Sequence, residues 1–573
     1  MGRRPASSRV LAVARGEAPA DLLITGGKVF VPTTKEWVST ELAIADGVVA
    51  GWGKRDALQV VDLDGAALTA GFIDAHMHLE STKLWVDEFV RTVLPRGTTA
   101  VAADPHEIAN VFGTRGVLAL MEAVKDLPFT FGVLASSCVP ASEFESSGGT
   151  VSSSEIATLI SQGAIGVAEM MNFPGVIAGD PEVMAKIAAS GQRRVDGHAP
   201  GLSGQLLDAY LVAGVESDHE CTTIEEAREK RRKGMWVFIR QGTASQDLAS
   251  LIGLVKEHGV DHLALCTDDR EPDTLVESGH VNDCVRLAVS YGVDEADAII
   301  MATANPASYF GLSTLGSLAP GMQADICCFD RLADFEPVQV WQAGKLVAVS
   351  GEILEGVVPD SPPPGWMLDS VHLGDVPSAA AFELKVDAED VVRVVAVEER
   401  SLTTRLEAQR IVEGKGDIAR GAIVERHHGS GRVGLGFVKG FGLLKGAIAS
   451  SVSHDAHNIV VLGSLEESGP RDMAVAVARL SEIGGGQVAV FDGRVIGEVA
   501  LPIGGLMSRK PAQEVAREIA SLEEIVASAL GVSIEAPFMQ LSFLGLSVIP
   551  EARLTDKGLV DVRQFSIVPV VVS

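Results

Sequence analysis

Between residues 67 and 313, short apolar segments alternate with stretches of helical periodicity. Eight of these segments have the composition of buried strands: ALTAGFIDAHMH, TAVAADP, FTFGVLAS, AIGVAEMM, RRVDGHA, GVESDHE, MWVFIRQG and HLALCTDD. Strands that alternate with helices form parallel sheets, and eight such units in about 250 residues match a closed barrel. The sequence therefore predicts an α/β fold with a (β/α)8 barrel over residues 67–313.

The barrel segment is flanked by regions of a different kind. A single core stops growing at roughly 250–300 residues, so a chain of 573 residues should contain several domains. Residues 1–66 and 314–358 both contain short strand-like segments separated by Gly and Asp, and we expect them to pair as one small, split β-domain. The Pro-rich stretch at 359–366 is typical of a linker. Residues 367–573 are Gly-rich and contain helical patterns, and we expect an additional C-terminal α+β domain there.

Charge and cysteine usage narrow the classes of function. The net charge of −29 argues against nucleic acid or an anionic membrane as the main partner. Six scattered cysteines without a CxxC pair do not form a disulfide framework or a zinc ribbon. The sequence has no apolar run long enough for a membrane span, and its first residues have no apolar secretion segment. We expect a cytoplasmic homo-oligomer that acts on a small molecule.

Side chains that bind metals recur where the predicted barrel strands end. In a parallel barrel, these ends point into the active site. The first strand ends with Asp74, His76 and His78, the second with Asp104, His106 and Glu107, the fourth with Glu169, the fifth with His198, the sixth with Asp218 and His219, and the eighth with Asp268 and Asp269. The third and seventh strands contribute no metal-type side chain.

This combination predicts a metal centre. A single His at a strand end is more often structural, and His-x-His alone is a weak signal. Here the His-x-His motif is followed by further His residues and carboxylates at the ends of later strands. Together these side chains suit Zn, Fe or Mn and can hold two ions. The predicted ligands are His76, His78, Glu169, His198, His219 and Asp268. A bridging carboxylate would let both ions share one hydroxide.

The ordered pattern resembles the amidohydrolase superfamily. GFIDAHMHLES (71–81) is similar to its entry motif, and ATANPASYFGL (302–312) is similar to its usual exit from the barrel. Many relatives with two metals use a carboxylated lysine at strand four, where this chain offers Glu169 and no lysine. That difference argues against a dihydroorotase- or hydantoinase-like enzyme and favours the adenine deaminase family.

The likeness to the adenine deaminase family covers almost the whole chain. The matching strings are HMHLES (76–81), LPRGTTAVAADPHEIANVFG (94–113), AEMMNFPGV (168–176), DGHAPGLSG (196–204), SDHECTT (217–223), CTDDR (266–270), SVSHDAHNIVVLG (451–463), LPIGGLMS (501–508) and LTDKGLVDV (554–562). ADPHEIANVFG and SHDAHN are unusual strings, so the resemblance is specific.

The resemblance implies hydrolysis of adenine to hypoxanthine and ammonia, with a metal-bound hydroxide attacking C6. Asp268 would accept the proton of the hydroxide and help to deliver protons to N1 or the leaving amine. The family is usually associated with manganese or iron, whereas the residues themselves leave zinc open.

Further residues have open roles. Glu80 follows the His-x-His motif at a spacing of two, so it can face the pocket and bind the purine edge or relay a proton. His106 and Glu107 could contact substrate or metal, or orient a ligand histidine. Outside the barrel, His454, Asp455 and His457 could cap the pocket, bind a separate ion or form a hydrogen-bonded loop.

Two other functions compete with this interpretation. A hydrolase with the same barrel could act on a cyclic amide or on a different aminopurine. A catalytically silent scaffold would be expected to lack ligands, and here the set is complete. We further expect Asp269 to point away from the pocket, because it follows Asp268 on the same strand.

Overall fold

The computed structural model describes residues 7–387, 389–399, 403–411 and 417–572. Its central unit contains eight parallel strands: β1 (Phe72–Met77), β2 (Thr98–Ala103), β3 (Thr130–Val133), β4 (Gly166–Met170), β5 (Arg194–Gly197), β6 (Ser217–Asp218), β7 (Trp236–Arg240) and β8 (Leu263–Cys266). Most residues of these strands are buried, because helices cover the outer face of the sheet.

The eight strands close on themselves. Parallel pairing joins β1 to β2, β2 to β3, β4 to β5, β6 to β7 and β7 to β8, with register shifts in the first and third of these pairs. An Ala135–Val167 bridge links β3 to β4, and the Glu216 amide donates to the Val195 carbonyl at 3.0 Å between β5 and β6. A parallel bridge between Met77 and Asp268 connects β1 with the end of β8. The predicted barrel is confirmed.

The barrel helices follow from local sequence signals. The helices of this unit are Val86–Val93, His106–Phe112, Thr114–Ala123, Ser153–Gln162, Phe173–Ala178, Pro181–Ala188, Gly204–Val212, Ile224–Arg232, Leu248–Leu251, Gly253–His258, Pro272–Glu277, Val281–Ser290, Glu295–Met301 and Ala304–Tyr309. Helix Ser153–Gln162 begins at a reciprocal capping box between Ser152 and Glu155 and ends at Gly163, whose φ of 117° favours glycine. Its apolar side, Ile156 and Leu159, packs into the core.

The segments on either side of the barrel share one sheet. Its strands, in spatial order, are Glu352–Ile353, Lys345–Val349, Gln339–Gln342, Ile326–Phe329, Ala67–Ala70, Lys28–Val31 and Glu36–Ser39. A second sheet contains Val48–Trp52, Leu42–Ala45, Ala20–Thr25 and Ala57–Asp62. Because Ala67–Ala70 pairs with Ile326–Phe329, the boundary expected at residue 66 is better drawn after Ala70.

The C-terminal region is a separate α+β unit. One sheet contains Thr404–Arg410, Val391–Val397, Val433–Lys439, Ile418–Val424, Ile459–Gly463, Ala447–Ser450, Gly486–Phe491 and Arg494–Ala500, with Val571–Val572 beside the second of these. A smaller sheet contains Ala552–Thr555, Gly558–Asp561 and Ser566–Val568. The α-helices are Gly469–Ile483, Ala512–Ile525 and Pro537–Ser542. In the described part of the chain, no helix is both long and apolar enough to cross a bilayer.

The C-terminal unit docks on the barrel near the carboxyl ends of its strands. The Trp85 amide donates to the Ser508 carbonyl at 2.9 Å, and the Ser508 amide donates to the Lys83 carbonyl at 2.8 Å. The Asn458 side chain donates to the Ser146 carbonyl at 2.8 Å. The Pro-rich segment is also held, because the Trp85 indole donates to the Ser361 carbonyl at 2.6 Å. The C-terminal domain therefore lies against the end of the barrel where its active site is expected.

Candidate metal centre

Strand β1 directs two buried histidines into the end of the barrel. The Nε2 atoms of His76 and His78 are 3.2 Å apart. The Nδ1 of His78 lies 3.0 Å from the carbonyl oxygen of Asp104, which can only accept a hydrogen bond. Nδ1 of His78 therefore carries a proton, and Nε2 is the nitrogen that would bind a cation once the ring is neutral.

Glu169, at the end of β4, lies between histidines from three other strands. Its Oε2 is 2.7 Å from His198 Nδ1 and 3.4 Å from His219 Nε2. Its Oε1 is 3.4 Å from His78 Nε2. A carboxylate with one oxygen toward each group of histidines has the position needed to bridge two cations.

Asp268 follows β8 and faces the β1 histidines. Its Oδ1 is 3.2 Å from His78 Nε2 and 3.7 Å from His76 Nε2. Donor atoms within 4.8 Å of one another form two groups that together hold five of the predicted ligands: His76, His78 and Asp268; and His76, Glu169 and His219. His198 belongs to a third group with His219 and Glu220. The structure thus brings all six predicted ligands together.

His106 joins this cluster through its Nδ1 atom. That nitrogen is 3.3 Å from Asp104 Oδ2 and 3.6 Å from Glu169 Oε1, and it has no well-aligned hydrogen bond in the described part of the chain. His78, Asp104, His106 and Glu169 form a further group of donor atoms within 4.8 Å. Of the three roles considered for His106, this geometry favours contact with a metal ion.

Charge in the cluster is balanced between carboxylates and imidazoles. Burial opposes ionisation of Glu169, but the adjacent His198 and His219 hold its pKa well below the ordinary value. Burial likewise opposes protonation of His219, yet Glu169 raises its pKa to about 9. The buried carboxylates thus draw positive charge to the imidazoles, and a divalent cation would replace those protons when it binds. Nitrogen and carboxylate donors in this proportion fit a divalent transition metal.

Strand β7 supplies a residue that the sequence pattern did not single out. Arg240 ends this apolar strand; its Nη1 is 3.1 Å from Asp268 Oδ2 and also contacts Glu220 Oε1. Its Nε donates to Asp247 at 2.6 Å. Glu220, next to His219, was also missed. Two features of the sequence could have identified these residues: Arg240 ends a buried strand, and Glu220 is the acidic neighbour of the predicted ligand His219.

The prediction that Asp269 points away from the pocket is wrong. Strand β8 ends at Cys266, and Asp268 adopts a left-handed φ of 57°, so the alternation of side chains stops before these residues. As a result, Asp268 and Asp269 line the same cavity. Asp269 differs from Asp268 in its partner, because it accepts a hydrogen bond from the Ser81 hydroxyl.

Glu80 and Glu107 lie beside the histidine cluster. Glu80 is on a 3-10 turn beyond β1, where its Oε1 accepts a hydrogen bond from the Ile108 amide at 2.9 Å. Burial and the nearby charge of Glu107 raise the pKa of Glu80 to about 8. Glu107 Oε1 is 2.8 Å from His454 Nδ1. Among the described residues, Glu107 lines the cavity and Glu80 does not.

The C-terminal domain covers this cavity. His454 and Asp455 line it together with three apolar side chains, Phe543, Leu546 and Ile549. Among the three alternatives for the SHDAH segment, the positions of His454 and Asp455 favour capping of the pocket, and the group of donor atoms formed by Glu107, His454 and His457 is compatible with a separate ion. His457 has a different role, because its Nδ1 accepts a hydrogen bond from the Ser453 amide at 3.1 Å and helps to shape the loop.

The comparisons with known proteins agree with this architecture. Residues 67–349 match the amidohydrolase family, and residues 395–566 match the adenine deaminase C-terminal domain. Adenine deaminase 2 of Carboxydothermus hydrogenoformans is 42% identical over 97% of this chain and 98% of its own length. Adenine deaminase of Desulfatibacillum aliphaticivorans is 43% identical over 98% of this chain and 99% of its own length. The chain belongs to the adenine deaminase family of metal-dependent amidohydrolases.

Proposed function

We propose that this chain hydrolyses adenine to hypoxanthine and ammonia. The observation that carries the proposal is the cluster of the six predicted ligands, of which all but His76 line a cavity that the C-terminal domain covers. Full-length relatives named adenine deaminase support the choice of substrate. A silent scaffold would not be expected to keep this set of donors together.

We assign two divalent ions to the site, with manganese or iron favoured and zinc as the alternative. His76, His78 and Asp268 would hold one ion, His198 and His219 would hold the other, and Glu169 would bridge them. When bound, these ions would polarise a water molecule and lower its pKa enough to make it a nucleophile near neutral pH. His106 would add a donor on the Glu169 side.

The protein's own groups orient the reactants and move protons. Asp268 would accept a proton from the attacking water and return it to N1 or to the departing amine. Arg240 would hold the Asp268 carboxylate in place through Oδ2. Glu107, which lines the cavity, would bind the purine edge, and the adjacent Glu80 would relay a proton.

The function is tested by reconstituting apo-protein with Mn, Fe or Zn and following adenine absorbance together with ammonia release. We expect hypoxanthine and ammonia in equal amounts, and only after metal loading. A ring-opened acid from a cyclic amide, without turnover of adenine, would favour the other hydrolase. Unchanged adenine at full occupancy with each metal would reject the proposal.

Arg240→Lys is expected to lower kcat about tenfold, because losing one hydrogen bond to a charged group costs about 1.5 kcal/mol. A lysine ammonium is a point charge that cannot contact both Asp247 and Asp268 as the guanidinium does. Metal content should stay unchanged. The matched control is Arg228→Lys, on the outer face of the barrel, where Arg228 pairs with Glu257. Equal rates for both variants would argue against a positioning role for Arg240.

A further inference from the structure

The C-terminal domain brings one acidic side chain into the covered cavity. Asp455 is 3% exposed and lines the same cavity as Glu169 and Asp268. We propose that Asp455 accepts the N–H of the purine imidazole ring and thereby makes the site specific for the free base over N9-substituted purines. The proposal rests on the proposed function and adds a determinant of specificity to it.

The Asp455 carboxylate has an unused hydrogen-bonding atom. Its Oδ1 is 3.7 Å from His106 Nε2, which is longer than a hydrogen bond. Its Oδ2 is buried and has no partner among the described residues. A buried carboxylate oxygen without a donor is costly, so the site is complete only when a ligand supplies an N–H or O–H group.

The segment that carries Asp455 is held in place by packing and hydrogen bonds. The His454 amide donates to the Ser542 carbonyl at 2.8 Å, and the His457 amide donates to the Ser453 carbonyl at 2.7 Å. The His454 ring stacks on Phe543, with ring centroids 4.9 Å apart and an interplanar angle of 12°. The acceptor is therefore fixed before substrate arrives, which reduces the ordering cost of binding.

The other C-terminal residues that line the cavity suit a flat heteroaromatic ring. Phe543, Leu546 and Ile549 add apolar surface to a cavity that is otherwise lined largely by histidines and charged side chains. Pockets for small molecules typically combine such apolar surface with a few placed polar groups that fix orientation. With C6 of the purine toward the cluster, the imidazole ring would extend toward the C-terminal domain, where Asp455 lies.

The chemistry of the purine then determines selectivity. Adenine has one N–H on its imidazole ring, at N9 or at N7 depending on the tautomer. A substituent at N9 removes this proton and leaves N7, a hydrogen-bond acceptor, as the hydrogen-bonding nitrogen of that ring. The Asp455 carboxylate would then be buried without a donor, a situation that enzymes use to reject analogues strongly.

The test compares adenine with 9-methyladenine on metal-loaded wild type and Asp455→Asn. Wild type should prefer adenine by at least about 10²-fold in kcat/KM. Asp455→Asn should lose roughly 10- to 100-fold in kcat/KM for adenine, mainly through KM, because an amide is a weaker acceptor than a carboxylate. Its activity on 9-methyladenine should not fall, so the preference narrows, and its metal content should match wild type.

The control is Asp556→Asn. Asp556 is a buried carboxylate at the same domain interface, but it accepts from the Ser146 amide and pairs with Arg432 outside the cavity. This variant should keep the wild-type preference for adenine. A second measurement needs no variant: hypoxanthine should inhibit wild type at least about tenfold more strongly than 9-methylhypoxanthine.

Two results would overturn the proposal. An unchanged preference in Asp455→Asn would show that Asp455 does not contact the imidazole ring. Loss of metal, with an equal loss on both substrates, would show that Asp455 instead orients His106. If the wild-type enzyme does not convert adenine at full metal occupancy, the proposed function itself is rejected. That outcome is distinct from the two results above.

Discussion

Asp268→Asn is expected to lower kcat about 10²- to 10⁴-fold, the usual range for general acid–base catalysis. Asparagine keeps the shape of the side chain and an oxygen that can still touch a metal, but it cannot accept the proton. His78 and Arg240, both close to the carboxylate, hold the pKa of Asp268 below its ordinary value despite burial. The base is therefore ionised at neutral pH, and the activity that depends on it should fall only as the pH drops into the acidic range. Steady-state rates and metal analysis on the same samples measure both effects.

Asp269→Asn is the matched comparison for this variant. Asp269 lines the same cavity but bonds to the Ser81 hydroxyl, so its loss should affect the chemical step far less. Metal content in Asp268→Asn should fall less than in His198→Ala or His219→Ala, which each remove a ligand. If both aspartate variants lose activity equally, or if Asp268→Asn remains near wild type with metal bound, the base must be sought at Glu107 or Glu80.

Glu169→Gln is expected to empty at least one metal position and to reduce turnover by about 10²-fold or more. Its two carboxylate oxygens lie between His78 on one side and His198 and His219 on the other. A neutral amide bridges cations poorly, and the removal of its negative charge leaves the surrounding imidazoles without their counter-charge. Elemental analysis of the purified variant, with the rate measured in parallel, tests the assignment.

Glu145→Gln is the control for Glu169→Gln. Glu145 is also buried near the domain interface, but it accepts from the Ser547 hydroxyl, and burial raises its pKa well above the ordinary value. A neutral amide should therefore replace it with little change in metal content. A Glu169→Gln protein with two ions per chain and a normal rate would remove Glu169 from the metal centre.

The sequence alone was sufficient to predict the barrel and the positions of its candidate ligands. Whether a side chain lies at the carboxyl end of a parallel strand is a local property, visible in apolar segments that end in His, Asp or Glu. His76 and His78 illustrate this, because their spacing of two on an extended strand places both rings on one side. Closure of the sheet then brings the other strand ends together, whatever the helices outside contain.

The contacts that refine the site could not be predicted in this way. The left-handed backbone at Asp268 ends the alternation and turns Asp269 into the cavity, which no periodicity encodes. The contact of Arg240 with Asp268 depends on side-chain reach between neighbouring strands.

The residues that cover the cavity belong to the C-terminal domain and are distant from the barrel in the sequence. His454 and Asp455 reach the barrel only because the C-terminal domain docks on it through contacts such as Asn458 with Ser146. Docking of one folded domain on another depends on the shapes of two finished surfaces, so sequence patterns within either domain do not reveal it. The sequence thus indicated the candidate ligands, whereas the tertiary structure decided which other groups contact them and which cover the cavity.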